Sequence, residues 1–230
     1  MWARGACVGE AIVLLVMIVI VPSSHALRLT VTGASGYLGA EIVAQAAAQG
    51  HHVRAVLRDG SNTALLPPCV EVVEVDDLTN LAAAREVAAD ADAVIHTASV
   101  FRPCDDMEEE LVRPNILLAE AMVCACAAAG ARLVLTSSMA AVRGSGQPPA
   151  CGAHYTTADW NTVSRRDGPG FEPYQWSKVA SERRAWALAR EVGLEMVALC
   201  PSMIFGPPRD PRSTAFSVQV ASGAVERSSS

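Results

Sequence analysis

Short apolar runs alternate along the chain with longer, alanine-rich stretches whose apolar positions recur at helical spacing. That alternation is the pattern of βαβ units feeding a parallel sheet. Six strands are predicted, over Leu27–Thr32, His52–Arg58, Val70–Val75, Ala93–Thr97, Arg132–Ser137 and Glu195–Cys200. Helices are predicted over Tyr37–Gln49, Leu81–Ala89, Glu108–Ala129 and Pro173–Val192, with Gly50, Gly130 and Gly193 placed where a left-handed residue ends a helix. Gly144–Gly170, rich in Gly, Pro and polar residues, reads as a long loop of the kind that carries function in compact domains.

With 230 residues, 51% hydrophobic and 18% charged, the chain is long and apolar enough for one well-buried α/β domain. A net charge of -6 leaves no basic stripe for a phosphate backbone, so nucleic acid is not an expected partner. The seven cysteines show no C-x-x-C pair, so no metal site is expected and they read as small buried hydrophobes. At the amino end, Arg4 precedes the apolar run Ala11–Val21, and Ser24 and Ala26 follow at cleavage-site positions. The run is too short to span a bilayer and reads as a secretory leader, leaving no stable membrane span after cleavage. Entry into the secretory pathway is therefore expected, with a plastid reached through the endomembrane system as a further destination. The alternative is a misassigned start on a cytoplasmic protein. The chain divides into a leader (1–26), the α/β domain (27–208) and an irregular tail (209–230). Nothing in the composition sets an oligomeric state.

Between the first strand and the first helix, Thr32-Gly33-Ala34-Ser35-Gly36-Tyr37-Leu38-Gly39 sets three glycines in one tight turn. Strand, turn and helix together make a dinucleotide-binding arrangement. Gly33 allows the turn, Gly36 lets the backbone approach a pyrophosphate, and Gly39 permits close helix packing. Ser35, Tyr37 and Leu38 complete the segment expected along the cofactor. At the end of the second strand an acidic residue suits NAD, through the ribose 2′-hydroxyl, whereas a cation favours NADP. Arg58 stands there, with Arg54 on the same strand face, so NADP is expected and NAD is the alternative. After the third strand, Asp77 and Leu78 are expected at the adenine, where a carboxylate accepts from the amino group. An acidic cap for the next helix is the competing reading.

Tyr174-Gln175-Trp176-Ser177-Lys178 opens the last helix with Tyr and Lys at i and i+4, on one face. An ammonium beside a phenol favours the phenolate and brings its pKa towards the working range, so Tyr174 can protonate a carbonyl oxygen as hydride arrives. Ser137 and Ser138 end the fifth strand, where a hydroxyl faces the ligand crevice. Ser138 is the preferred partner of the substrate oxygen, the other serine serving the loop backbone.

Gly33–Gly39, His96-Thr97-Ala98-Ser99, Thr136-Ser137-Ser138, Tyr174–Lys178 and Pro201–Pro207 resemble, in order, the cofactor and active-site segments of extended short-chain dehydrogenases, the NAD-dependent epimerase/dehydratase superfamily. Ala158-Asp159-Trp160-Asn161 and Ser177–Trp186 resemble more narrowly its dihydroflavonol 4-reductase, cinnamoyl-CoA reductase and carbonyl reductase branch. The resemblance implies a Rossmann-type, doubly wound parallel sheet with the small C-terminal substrate domain largely missing. It places Thr97 and Ser99 along the cofactor, Pro201 at the nicotinamide end, and Asn115 in support of a proton-relay water. Two departures stand out: Leu118-Ala119 replaces the Gly-Thr that follows Asn115 in the family, and Trp176 and Ser177 break the cinnamoyl-type signature. The expected function is NADPH-dependent reduction of a ketone or aldehyde, a small-molecule carbonyl substrate, with Ser138, Tyr174, Lys178 and Asn115 catalytic. The alternatives are an NAD-dependent nucleotide-sugar epimerase or dehydratase, and a dinucleotide-binding fragment without catalysis.

Overall fold

The computed structural model describes residues 25–206 apart from residue 103, together with Arg209. The expected leader, except for His25 and Ala26, and the expected tail, except for Arg209, lie outside the described residues. Six strands form one parallel sheet: β1 (Arg28–Thr32), β2 (His52–Leu57), β3 (Glu71–Glu74), β4 (Ala93–His96), β5 (Arg132–Thr136) and β6 (Met196–Leu199). Their order is β3-β2-β1-β4-β5-β6, the doubly wound arrangement whose connections reverse between β1 and β4. Each strand lies within one residue of its predicted ends, and in the interior strands, such as β4, this follows because a parallel strand covered on both faces is a continuous apolar run.

Helix α1 (Tyr37–Ala48) covers one face of the sheet, packing Ile42 and Val43 on Leu29, Val31, Val53 and Ile95. On the other face lie α2 (Leu81–Ala88), α3 (Arg113–Ala129) and α5 (Glu172–Val192), over a core that includes Val56, Val94, Met122, Leu133 and Ala185. Alanines at the α3 and α5 contacts let the two helices approach closely, and Arg184 of α5 pairs with Glu120 of α3 at the rim.

Two elements depart from expectation. The helix predicted from Glu108 starts as a π-helical turn, Glu108–Val112, and becomes α-helical at Arg113. Pro114 explains the change, since it has no N–H to continue a regular ladder into the preceding turn. A short helix, α4 (Met139–Val142), also follows β5 directly, with Ser138 as its N-cap. The loop beyond α4 is pinned by Asn161, whose backbone N–H donates to Ala141 O at 2.8 Å and whose side chain donates to Ala140 O at 2.8 Å.

Candidate active site

The glycine turn after β1 is built as its residue types require. Gly33 is left-handed at φ +68°, and the Cβ of any other residue there would crowd Ala98 N and Thr97 Oγ1, each at 2.9 Å. A Cβ on Gly39 would collide with the Gly33 carbonyl, so α1 meets the turn at backbone contact. Gly36 differs: only Gly33 O, at 3.1 Å, lies near its missing side chain. Gly36 is also the N-cap of α1, with no side-chain cap and no acidic residue in the first turn. The free N–H groups and positive dipole end of α1 therefore face open space, which fits an anion. Among the residues expected along this segment, Ser35 is exposed, Leu38 packs into the core, and Tyr37 donates to Gly206 O at 2.7 Å.

The adenosine side is less tightly built. Arg58, just past β2, is exposed; its carbonyl accepts from Ser61 N at 3.1 Å, while its guanidinium forms no hydrogen bond or ion pair among the described residues. Arg54 does not stand beside it. Its guanidinium pairs with Glu71 at 3.0 Å and donates to the carbonyls of Ala89 at 2.8 Å and Val87 at 3.3 Å, at the end of α2. The cause is register, since Arg54 lies level with Glu71 on the neighbouring strand. Asp77 turns its Oδ1 on Thr79, accepting from N at 2.8 Å and Oγ1 at 2.6 Å, and Leu78 packs on the core. The cap of α2 is Asn80, accepting from Ala82 N and Ala83 N, and not the acidic residue that was the competing expectation.

At the end of β4, Thr97 Oγ1 donates to Thr32 O at 2.6 Å, and Ser99 Oγ donates to Asn115 Oδ1 at 3.0 Å. Asn115 is buried and fully committed. Its Oδ1 also accepts from Val100 N at 2.7 Å, and its Nδ2 donates to Val100 O at 3.0 Å and Ser177 Oγ at 3.3 Å. The side chain thus clamps the segment after β4 to α5 and has no capacity left over for a relay water. His96 is buried with Nδ1 2.7 Å from Thr32 Oγ1. Burial, and secondarily the charge of Lys178, pushes its pKa down to about 3, so it is neutral.

The two serines divide their work. Ser137 Oγ is buried and donates to Glu182 Oε2 at 2.5 Å. Ser138 Oγ accepts from Ala140 N at 3.1 Å, and its hydroxyl is the group that pulls the Tyr174 pKa down. Ser138 is therefore both the serine that serves local backbone and the one that meets the tyrosine. Tyr174 and Lys178 share one face of α5, with the Lys178 Nζ 5.8 Å from the phenol ring centre. The expected lowering of the phenol pKa is not seen in the protein alone. Burial raises it, against the smaller opposite pull of Ser138, because an apolar surround penalises the phenolate. Lys178 is buried too, donating to Thr136 O at 3.5 Å, and desolvation lowers its pKa to about 8. Pro201 receives Met139 N at 2.8 Å on its carbonyl, tying the segment following β6 to α4.

Sequence reasoning did not mark two parts of this site. Phe101 packs its ring on Tyr174 at 4.4 Å between centroids and on Phe171 at 6.0 Å, an aromatic flank that is itself exposed. Glu182 is buried one turn beyond Lys178, and its only sequence signal is a carboxylate on the buried face of an amphipathic helix. The six cysteines among the described residues are free, and no group of three or more metal-ligating side chains gathers among those residues.

The model of the NAD dependent epimerase/dehydratase family matches residues 29–228. The chain belongs to this family. Relatives within it include barley (Hordeum vulgare) dihydroflavonol 4-reductase, 30% identical over 78% of this chain and 53% of that protein, and Medicago truncatula cinnamoyl-CoA reductase CAD2, 29% identical over 79% and 59%. The chain thus spans little more than half the length of these relatives. Among solved structures, the Candida albicans Gre2 complex with NADPH superposes with a TM-score of 0.70 at 27% identity, over 79% of this chain and 59% of that one. Yeast methylglyoxal/isovaleraldehyde reductase Gre2 complexed with NADPH gives 0.70 at 25%, over the same shares.

Proposed function

We propose that the protein is an NADP-dependent reductase of a ketone or aldehyde. One observation carries the reading: Tyr174 shares one face of α5 with Lys178, one helical turn away, and Lys178 is the only lysine among the 18 lysines and arginines of the chain. Every other fixed cation is a guanidinium. Position 178 keeps the compact ammonium whose pKa burial can bring to about 8, a range no arginine reaches.

The glycine turn fits a dinucleotide. Gly33, Ser35, Gly36, Tyr37, Leu38 and Gly39 would hold the pyrophosphate, Arg58 the 2′-phosphate and Asp77 with Leu78 the adenine, while Thr97, Ser99 and Pro201 line the way to the reacting end. When bound, a reduced nicotinamide supplies hydride. The protein's own task is the proton. Burial keeps Tyr174 protonated at neutral pH, the form a proton donor needs, and Ser138 orients the carbonyl oxygen towards the phenol. Lys178 faces the tyrosine from the same side of α5 and stabilises the phenolate left after transfer. Asn115 holds α5 to the segment after β4 and so sets the position of both residues. The reductase names of the relatives, and the NADPH in the Gre2 structures, support this chemistry over epimerisation.

Tyr174→Phe tests the reading. It should lower turnover of a carbonyl substrate by roughly 10²- to 10⁴-fold with NADPH affinity nearly intact, measured by NADPH oxidation and by fluorescence titration. An unchanged rate refutes the mechanism. NADPH binding without turnover of any ketone or aldehyde by the parent would identify a binding module instead.

A further inference from the structure

Behind the reacting face lies a cavity of about 20 Å³ that the proton transfer above does not use, lined among others by His96, Asn115, Thr136, Lys178, Ser181 and Glu182. About 10–15 Å³ admits one water, provided two to four polar groups surround it. Three groups here have capacity to spare. Lys178 uses one long hydrogen bond, to Thr136 O at 3.5 Å, of the three its ammonium can donate. Thr136 Oγ1 is buried with no hydrogen-bond partner among the described residues.

Glu182 is the third. Its carboxylate sits in the interior, accepting from Ser137 Oγ at 2.5 Å, from the Trp186 indole at 3.3 Å and from Cys200 Sγ at 3.5 Å. None of these partners carries a positive charge, and among the described residues no cation lies within ion-pair distance of it. A buried carboxylate without a counter-charge is costly, and Lys178 is the cation on the same cavity wall.

We propose that Glu182 is a positioning residue. Through one water held in this cavity, its carboxylate is the counter-charge that keeps Lys178 in its ammonium form and aims it at Tyr174. The role rests on the assignment of Tyr174 and Lys178 given above. The other groups facing Lys178 do not supply that charge: His96 of β4 is neutral, β5 offers Thr136 and Ser137, α3 offers Asn115, and Cys200 follows β6 as a thiol pushed up to about 11. Glu182 is the largest influence raising the Lys178 pKa against desolvation.

Because Lys178 is the only lysine, [13Cε]lysine incorporated into the chain gives one lysine NMR signal whose pH titration reports its ionisation without any activity. Failure of the reductase reading would leave this measurement intact. The parent should titrate near 8. Glu182→Gln keeps an acceptor for Ser137 and removes the charge, and should lower the midpoint by about one pH unit or more. Ser137→Ala breaks the 2.5 Å hydrogen bond but keeps the charge, and should leave the midpoint in place. Thr136→Val deletes one partner of the water and should lower the midpoint by a smaller step. An unchanged midpoint in Glu182→Gln, or an equal fall in Ser137→Ala, overturns the proposal. If Glu182→Gln does not fold, an unchanged midpoint in the near-isosteric Thr136→Val overturns the bridging water.

Discussion

On the β1–β2–β3 side of the crevice, the residues expected at the adenosine end, Arg58 and Asp77, are exposed, and β3 itself is largely open to solvent. On the β4–β5–β6 side, His96, Asn115, Ser137, Lys178 and Glu182 are all buried, and long-range hydrogen bonds tie Ser137 to Glu182, Asn115 to Ser177 and Lys178 to Thr136. A recognition site for a soluble phosphate needs only a charge at the right place, and water around it costs little. A site that must hold a phenol protonated beside an ammonium has to control solvation, so its polar groups are interior and each requires a partner. The first kind of site should be easy to re-specify by mutation, and the second hard to touch without cost to the fold.

The largest expected effect is on the buried side. The folded-state pKa of His96, about 3, lies below the unfolded value of 6.5, so the unfolded chain takes up the proton first. Stability is then lost as pH falls from about 6.5 towards 3, by about 3 kcal/mol at pH 4. Urea denaturation at pH 7 and pH 4, in the parent and in His96→Gln, isolates this share. A difference between the two pH values that persists undiminished in the variant assigns the loss to other groups.

Next in size is a contrast between two asparagines. Asn115→Ala removes four hydrogen bonds from a buried side chain, two of them to the part-buried backbone N–H and C=O of Val100, and should cost about 2–4 kcal/mol. Asn80→Ala removes an exposed helix cap and should cost about 1 kcal/mol. Equal costs would erase the distinction between the two halves.

The smallest effect is the most specific. Arg58→Asp should leave the thermal midpoint of the chain unchanged while reversing a several-fold preference for NADPH over NADH, read by fluorescence titration with both cofactors. Equal affinities in the parent would remove Arg58 as the basis of selection.

The same division governs how much could be read from the sequence. Strand ends, the glycine turn and the spacing of Tyr174 and Lys178 are local patterns, and the structure keeps them within a residue. What escaped depends on partners far along the chain. Arg54 looks free until β3 brings Glu71 level with it, and Ser137 is indistinguishable from Ser138 until α5 delivers Glu182 to one and Tyr174 to the other. The π-helical turn has a local cause in Pro114, but a proline near a helix start also fits an ordinary first turn, so only the structure separates the two.

A lysine found once in a chain and buried in the second turn of α5 makes that helix its own gauge. A lysine-specific endopeptidase has a single place to cut, and α5 must open before the bond after Lys178 can enter a protease cleft. With opening and closing fast relative to cleavage, the digestion rate reads the free energy of that opening directly. Any ligand that engages the folded site should slow digestion in proportion to its occupancy.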